Sequence, residues 1–513
     1  MNHPRSGCAA PPQGGAAGGP AKPDPRRLLG SLVACAALIT ALPHAAWAAG
    51  TEPTPCRLRG IEHEALCGSV QRALDPARPA AVKGQQIAVH YAVLPALARN
   101  KRPDPVFFFA GGPGQSAIEI APQVATILAR FANRRDIVLI DQRGTGRSAP
   151  LLCDNEDPAL PLAELFAPER QRERIATCLV RLKNLPYGDL RFFTTTLAMQ
   201  DADAVRAALG AERINLVGGS YGTRAVLEYQ RQFPERVRRA VIDGVAPPDM
   251  VLPASFSTDN QAALDALLTA CEADQACKTR EPQLRTRWRA LLASLPRTIE
   301  LRHPLTDRSE RLTLTRDMLL GMVRGPLYVP AFAAALPAAI GQAAGGRFDA
   351  LAGLAQTLGG RRGMALAAGM HFSVVCAEDQ PRIDAALDKP GADFGNSFAA
   401  LYRDVCASWP RGAVPAAFYS LPAAPAATLV LSGGIDPVTP ARHGERVAKA
   451  LGAKARHVVV PNAGHGVMGL GCMRDVLYRF VDAASDDEAL AVDATCATGI
   501  PRPPAFALPG AAP

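Results

Sequence analysis

The sequence predicts an α/β fold in which a mostly parallel sheet is covered by helices on both faces and carries a large, mainly helical cap subdomain inserted late in the sheet. Two observations support this prediction. Short apolar runs bounded by Gly, Pro, Asp or Asn recur with helical patterns between several of them, as buried parallel strands require. One interval between two such runs is roughly 180 residues long, which is too long for a loop in a compact domain.

Six apolar runs predict buried strands, and two further patterns predict their neighbours. The alternation of apolar and polar residues over Ile87–Leu94 predicts an antiparallel edge strand. Between Gly222 and Pro234, apolar residues recur at helical spacing, which predicts a helix that ends at the proline. The six predicted strands are Val106–Ala110, Asp136–Asp141, Ile214–Gly218, Ala240–Asp243, Thr428–Ser432 and His457–Pro461.

The long interval, residues 247–425, predicts the cap subdomain. The flanking pieces, 49–246 and 426–513, then form one α/β domain. Within the interval, four Ala-rich stretches predict helices and two short alternations predict strands. The helical stretches are Gln261–Cys271, Arg316–Val323, Ala331–Ala344 and Phe348–Leu358, and the alternations are Ile299–Arg302 and Arg311–Thr315.

The N-terminus has the pattern of a secretory signal peptide. Arg26-Arg27 precede an apolar run, Leu28–Leu42, and an A-x-A site that ends at Ala48, where cleavage is expected. The protein is therefore expected in the periplasm or outside the cell. A lipoprotein box at Cys35 and export through the twin-arginine pathway stay open as alternatives. After position 50 no apolar run approaches the ~20 residues of a membrane helix, so no stable membrane insertion is expected after cleavage.

The positive charge does not indicate nucleic acid. The chain has 513 residues and a formal net charge of +9. Removal of residues 1–48 takes away four basic and one acidic side chain and leaves +6. The remaining basic residues are dispersed, and no run of five or more occurs. A nucleic-acid partner is therefore not expected.

Ten cysteines follow the predicted cleavage site, and an even number in an exported protein indicates disulfides. Local pairing is the simplest hypothesis, although distant pairs and buried free thiols stay open. No paired C-x-x-C and no H-E-x-x-H occurs, so no metal site is expected. The local pairs are Cys56–Cys67, Cys153–Cys178, Cys271–Cys277, Cys376–Cys406 and Cys472–Cys496.

The strongest chemical signal is a G-x-S-x-G sequence centred on Ser220, between a predicted strand and a predicted helix. A nucleophilic serine on such a turn needs small flanking residues, because the backbone bends sharply to lift the hydroxyl above the sheet edge. As a bare pattern it is weak, since turns also use Gly and Ser. The strand before it and the helix after it supply the required context.

A serine hydroxyl needs an imidazole to remove its proton and a carboxylate to orient that imidazole. Asp436 follows the predicted strand Thr428–Ser432, and His465 follows the next one. Taken singly, each could be an ordinary loop residue. Together with Ser220 they stand in the order Ser, Asp, His, which is the chain order of α/β-hydrolases. The sequence thus predicts a catalytic triad.

An acyl-transfer site also needs two backbone N–H donors for the oxyanion. Gly112, in the loop after the first predicted strand of the six, and Tyr221, directly after the serine, are the candidates. The same loop offers a competing interpretation, because Gly112–Ala117 matches a dinucleotide fingerprint and Asp141 could contact a ribose. An exported enzyme rarely meets such a cofactor, so no cofactor is expected.

These motifs resemble the proline iminopeptidase and tripeptidyl aminopeptidase family of serine exopeptidases, which have the α/β-hydrolase fold. The resemblance rests on the G-G-P-G loop at Gly112, the D-Q-R-G-T-G-R-S run that begins at Asp141, the serine motif and the G-I-D-P-V-T-P run around Asp436. In the second run, Asp141 and Arg143 are expected to tie loops together beside the nucleophile. Ala110 departs from the family, many of whose members have His there.

The resemblance implies hydrolysis of peptide bonds near a free N-terminus through an acyl-enzyme on Ser220, without a cofactor. A free N-terminus is an ammonium group, and a carboxylate must compensate it once it is desolvated. Within the predicted cap, Glu378 is the candidate anchor and Asp379 the second. A solvated acidic turn is the alternative for this pair. A carboxylesterase or lipase with the same triad is the alternative function.

Overall fold

The computed structural model describes four stretches of the chain. The predicted signal peptide, together with Cys35 and the paired arginines, lies outside them. For residues 357–359 only the backbone is described. The described stretches are residues 52–78, 86–359, 366–386 and 388–506.

In these stretches the strands form one large sheet and one separate hairpin. The strands are β1 (Thr54–Cys56), β2 (Ala65–Ala73), β3 (Gln86–Leu94), β4 (Val106–Phe109), β5 (Ile137–Ile140), β6 (Ile214–Gly219), β7 (Val237–Asp243), β8 (Arg297–Arg302), β9 (Ser309–Leu314), β10 (Ala427–Gly433) and β11 (Ala455–Val460). The large sheet has the order β1-β2-β3-β5-β4-β6-β7-β10-β11, and β8 pairs with β9 alone.

The helices cover the sheet and build most of the segment between β7 and β10. They are α1 (Ala121–Ile127), α2 (Leu162–Leu165), α3 (Pro168–Lys183), α4 (Thr195–Ala208), α5 (Tyr221–Gln232), α6 (Leu252–Ala273), α7 (Gln275–Arg280), α8 (Leu284–Ala293), α9 (Arg316–Leu327), α10 (Pro330–Ala333), α11 (Leu336–Ala344), α12 (Asp349–Gly359), α13 (Ala368–Glu378), α14 (Ser397–Ser408), α15 (Ala441–Leu451), α16 (Met473–Asp482) and α17 (Asp486–Leu490). No described helix is both long and apolar enough to cross a membrane.

The predicted sheet is confirmed, with one correction at its antiparallel side. In the large sheet, every neighbouring pair along the order β5-β4-β6-β7-β10-β11 is parallel. β3 is antiparallel, as predicted, but the prediction that it is an edge strand is wrong, because β2 pairs with it from Leu66 to Ala73. β2 was not predicted from the sequence because polar residues interrupt its apolar pattern. One of them, Arg72, forms an ion pair with the buried Asp201 at 3.0 Å.

Both faces of the sheet are buried, which explains why its strands are apolar at successive positions. On β6, Leu216 belongs to the core on one face, and its neighbour Val217 belongs to the core on the other. On β10, Val430 and Leu431 divide between the two cores in the same way. Because the parallel strands run in one direction, the loops after β4, β6, β10 and β11 meet at one edge of the sheet.

The segment between β7 and β10 divides its packing between two cores. Its first part, α6 to α12 with the hairpin, has its own cluster around Trp288 and Leu312. Its last part packs on the sheet instead, since Met370 and Val374 of α13 and Cys406 of α14 belong to the core of the sheet. The division of the chain into two domains stays a prediction.

Five disulfides connect the ten described cysteines in the local pattern predicted from the sequence. The bond between Cys376 and Cys406 joins α13 to α14 and lies wholly in the buried core. A disulfide stabilises chiefly by restricting the unfolded chain. Such a framework fits an exported protein.

We expect proteolysis of the non-reduced protein to release five pairs of linked peptides, one for each local bond. Mass spectrometry of these peptides before and after reduction measures the pairing directly. Alkylation without reduction should modify none of these ten cysteines. Linked peptides that join distant cysteines, for example Cys153 with Cys376, would contradict the structure.

Candidate active site

Ser220 stands on the turn that joins β6 to α5, at the edge of the sheet where the loops meet. Its backbone has φ +57° and ψ −125°, a conformation that costs energy for a residue with a side chain. Its N–H donates a hydrogen bond to the carbonyl oxygen of Asp243 at 2.8 Å. A Cβ at Gly218 would lie 2.3 Å from the oxygen of Gly222, and a Cβ at Gly222 would lie 2.1 Å from the oxygen of Phe109. Only glycine fits at either position.

Asp436 follows β10 and is fully buried, at 1% exposure. Its Oδ1 accepts hydrogen bonds from the N–H groups of Val438 and Thr439, both at 2.9 Å. Its Oδ2 accepts one from the Thr439 hydroxyl at 2.8 Å and lies 2.8 Å from Nδ1 of His465. Burial by itself would raise the pKa of Asp436, but the charge of His465 and these donors hold it below its usual value. The carboxylate therefore stays ionised.

His465 follows β11, and its backbone and ring are both fixed. Its N–H donates to the carbonyl oxygen of Tyr328 at 3.0 Å, and its ring stands edge-on to the Tyr328 ring at 5.4 Å. Burial alone would lower the pKa of His465, but the charge and hydrogen bond of Asp436 raise it. When Nδ1–H donates to Asp436, the lone pair on Nε2 is free to accept a proton.

Ser220 and His465 line the same cavity, whose volume is about 540 Å³. Most of its wall is apolar. The charged side chains in the described wall, His465 aside, are Asp243 and Arg324. The apolar wall includes Phe108, Leu252, Phe256, Leu366 and Met468.

A family model described as the alpha/beta hydrolase fold matches residues 104–471, a span that includes every site residue above. The chain belongs to the α/β-hydrolase fold family. This membership, together with the relatives described below, supports the assignment of the chain to the serine hydrolases.

Curated relatives of this α/β-hydrolase include peptidases and an esterase. Serine protease Hip1 of Mycobacterium tuberculosis is 32% identical over 39% of this chain and 40% of its own length. Tripeptidyl aminopeptidase of Streptomyces coelicolor is 32% identical over 36% of this chain and 35% of its own. These matches therefore span less than half of either relative. Carboxylesterase B of M. tuberculosis is 28% identical over 76% of this chain and 78% of its own.

A solved structure of proline iminopeptidase from Mycobacterium smegmatis is also similar. It is 17% identical, with a TM-score of 0.31, and the match covers 79% of this chain and 97% of that one.

The two predicted oxyanion donors lie beside the hydrolase's serine. Gly112 and Tyr221 both line the cavity with Ser220. A Cβ added to Gly111 would lie 3.1 Å from the Ser220 Cβ, so this loop lies directly against the nucleophile. Tyr221 is the first residue of α5, and the first N–H groups of a helix have no acceptor within it. The role of the two N–H groups stays a prediction.

Asp141 and Arg143 tie loops together, as expected from the sequence. The Asp141 carboxylate accepts hydrogen bonds from the Ser116 hydroxyl at 2.6 Å and from the N–H of Arg147 at 3.1 Å. Arg143 forms a buried ion pair with Asp201, at 2.7 and 2.8 Å. Asp141 thus holds together the loops that follow β4 and β5.

Glu378 and Asp379 lie at the end of α13 and line no part of the described cavity wall. Both are buried, at 1% and 0% exposure, so a solvated acidic turn is excluded. Arg224 of α5 binds Asp379 at 3.0 and 3.1 Å and lies 3.5 Å from Glu378. Burial raises the pKa of Glu378 to about 7 in spite of Arg224. Binding of a substrate ammonium by this pair stays a prediction.

Thr195 links Glu378 to Tyr221, the residue directly after the nucleophile. Its N–H and hydroxyl donate to Glu378 at 2.7 and 3.0 Å. The Thr195 oxygen also lies 2.7 Å from the Tyr221 hydroxyl. The two carboxylates therefore hold the first turn of α5, which begins directly after Ser220.

Sequence reasoning missed three residues of the site: Asp243, Tyr328 and Thr439. Asp243 is 1% exposed, and its carboxylate accepts from the N–H groups of Val467 and Met468, both at 2.8 Å. It thereby fixes the loop after His465, and burial raises its pKa to about 6. The position of Asp243 at the end of a buried strand is the sequence feature that could have indicated it.

No described cluster of His, Cys, Asp and Glu could hold a metal ion.

We expect Asp436→Asn to lower kcat by about four orders of magnitude, because the amide cannot orient or stabilise the imidazolium. The general base must be neutral, so activity rises as the pH climbs through the pKa of His465. Without the Asp436 charge, burial lowers this pKa, and the acid limb of kcat/KM against pH should move to lower pH. An unmoved limb would contradict the assignment. Asp384→Asn, at an 86% exposed side chain, is the control.

We expect Arg224→Met to lower the free energy of unfolding by about 3–5 kcal/mol, because it leaves two buried carboxylates without their cation. Urea titration measures the effect. Arg181→Met is the control. It breaks an ion pair with Asp154 whose side chains are 45% and 83% exposed, and such surface pairs contribute less than about 1 kcal/mol. Equal losses in the two variants would contradict the role of Arg224.

Proposed function

We propose that this α/β-hydrolase is an exported serine peptidase that cleaves peptide bonds near a free N-terminus through an acyl-enzyme on Ser220. The observation that carries the proposal is the site itself. Ser220 and His465 line one cavity, and Nδ1 of His465 lies 2.8 Å from the buried carboxylate of Asp436. The relatives named serine protease and tripeptidyl aminopeptidase support a peptide substrate.

The mechanism follows from these groups. The Ser220 Oγ attacks the substrate carbonyl carbon while Nε2 of His465 takes the hydroxyl proton. The N–H groups of Gly112 and Tyr221 stabilise the oxyanion. His465 then gives the proton to the leaving amine, and the C–N bond breaks to leave an ester on Ser220. A water molecule, deprotonated by His465, hydrolyses that ester and regenerates the serine.

The preference for a free N-terminus is the finer part of the proposal. Tripeptidyl and prolyl aminopeptidase activities are its two forms, and both require a carboxylate for the substrate ammonium. Glu378 and Asp379 are the proposed anchor, and an ammonium there has to compete with Arg224. Asp243, the carboxylate in the described cavity wall, already accepts two backbone hydrogen bonds.

A carboxylesterase is the second candidate. The apolar cavity wall suits an acyl chain, and the similarity to Carboxylesterase B extends over 76% of this chain. The same triad serves both reactions, so only the substrate distinguishes them.

Export is proposed from two features. Five disulfides are typical of an oxidising compartment, and residues 1–48 have the pattern of a cleaved signal. The final location is periplasmic or extracellular.

We expect the mature protein to release chromogenic amine from tripeptidyl or prolyl substrates with a free N-terminus, and Ser220→Ala to reduce kcat on the order of a million-fold. Acetylation of the substrate N-terminus should abolish turnover. Steady-state kinetics on free peptides, acetylated peptides and acyl esters measures all three classes. Fast ester cleavage without release from any peptide would contradict the peptidase proposal and favour the esterase. Equal turnover of free and acetylated peptides would contradict only the exopeptidase part.

A further inference from the structure

One positively charged side chain in the cavity wall has no part in the mechanism above. Arg324 lies on α9, in the segment between β7 and β10, and it lines the same cavity as Ser220 and His465. The other two charged side chains of the described wall have stated roles. His465 is the general base, and Asp243 accepts hydrogen bonds from the backbone that follows His465.

Two aromatic rings hold the guanidinium of Arg324 in place. Its central carbon lies 4.7 Å from the centre of the Phe398 ring and 5.4 Å from the centre of the Phe256 ring. Phe256 itself lines the cavity, and the two rings stand edge to face. Stacking of this kind fixes the plane of the guanidinium and leaves its edge free for hydrogen bonds.

The hydrogen-bonding capacity of Arg324 is largely unused. Its Nε is buried and has no acceptor among the described residues. One Nη lies 3.4 Å from the Tyr328 hydroxyl, which is a long and weak contact. A buried donor without an acceptor costs free energy. Because Arg324 lines the cavity, an occupant that supplies an acceptor to its guanidinium is favoured.

Three other arginines of this segment have the carboxylate partner that Arg324 lacks. Arg285, Arg287 and Arg316 each lie within ion-pair distance of a carboxylate, at 2.8, 3.1 and 3.7 Å. Among the described residues, Arg324 has no such partner. Among the described residues, the faces of two rings and the weak contact with the Tyr328 hydroxyl are what its charge meets, in a largely apolar cavity. The described wall therefore presents a cation where a substrate binds.

We propose that Arg324 is a specificity-determining residue that binds a carboxylate of the substrate. A planar guanidinium binds a carboxylate through two parallel hydrogen bonds, and the aromatic rings orient it for that contact. The inference deepens the proposed peptidase function and rests on it. It selects peptides with an Asp or Glu side chain near the scissile bond, or with a free C-terminal carboxylate close to it. A substrate ammonium, by the same argument, is excluded from the Arg324 end of the cavity.

Matched substrate pairs test the proposal. Peptides that carry Glu or Gln at each position on either side of the scissile bond measure a side-chain carboxylate, and pairs with a C-terminal acid or amide measure a terminal one. For at least one pair we expect the wild-type kcat/KM to favour the acid by about ten-fold or more, as a charged hydrogen bond provides. Arg324→Gln should bring this ratio close to one, and Arg324→Lys should retain part of it.

Arg297→Gln is the matched control. Arg297 also stacks on a ring, that of Phe348, at 5.1 Å from its centre, but it lies outside the described cavity wall. Its removal should leave the acid-to-neutral ratio unchanged. A wild-type enzyme without preference in any pair would overturn the proposal, whatever the variants do. An undiminished preference in a folded Arg324→Gln protein would also overturn it.

Two further measurements separate this inference from the proposed function. If no peptide is cleaved, p-nitrophenyl esters with a terminal carboxylate or its methyl ester on the acyl chain give the same ratio on esterase activity. If nothing is turned over, calorimetry with Ser220→Ala compares the Kd of the acid and neutral peptides without catalysis. Tighter binding of the acid, lost in Ser220→Ala with Arg324→Gln, supports the role of Arg324. Equal binding contradicts it.

Discussion

The sharp backbone turn at Ser220 is the constraint on which the rest of the site depends. The chain is packed so tightly where β6 turns into α5 that a Cβ at Gly218 would clash with Gly222. A Cβ at Gly222 would clash with Phe109 at the end of β4. This contact brings the first turn of α5 against the loop that carries Gly112. The same turn is fixed from the other side, where the Ser220 N–H reaches the carbonyl of Asp243. Nucleophile and proposed oxyanion donors therefore share one rigid unit.

Buried charges extend this unit into the surrounding helices. Asp243 uses its backbone oxygen for Ser220 and its carboxylate for the loop after His465. Arg224, one turn into α5, joins the helix to Asp379 and Glu378 at the end of α13. Charges so deeply buried are costly unless every partner is present. The nucleophile's position thus depends on side chains from a segment that the sequence assigns to the cap, and Arg324 and Tyr328 from the same segment reach the cavity.

Much of this arrangement follows from local patterns in the sequence. The six apolar runs could be recognised as strands because both faces of the sheet are buried. The triad candidates meet at one edge because β6, β10 and β11 are parallel and end on the same side of the sheet. The five disulfides could be predicted because each one joins two cysteines that follow one another in the sequence. β2 was missed because Gly68, Gln71 and Arg72 interrupt its apolar pattern, although Arg72 is satisfied by Asp201. That partner lies 129 residues away, and no local pattern contains it. The burial of Glu378 beside Arg224, and the absence of a carboxylate partner for Arg324 among the described residues, likewise depend on tertiary packing.

The central claim is that Ser220 is an activated nucleophile, and covalent labelling tests it most directly. A fluorophosphonate reacts with a serine whose proton is removed by a neighbouring base. The Oγ–P bond forms, and fluoride leaves. The account predicts one adduct per chain in the mature protein, on the peptide that contains Ser220, and no adduct in Ser220→Ala. Labelling of a different residue, or no labelling of a folded protein, would contradict it.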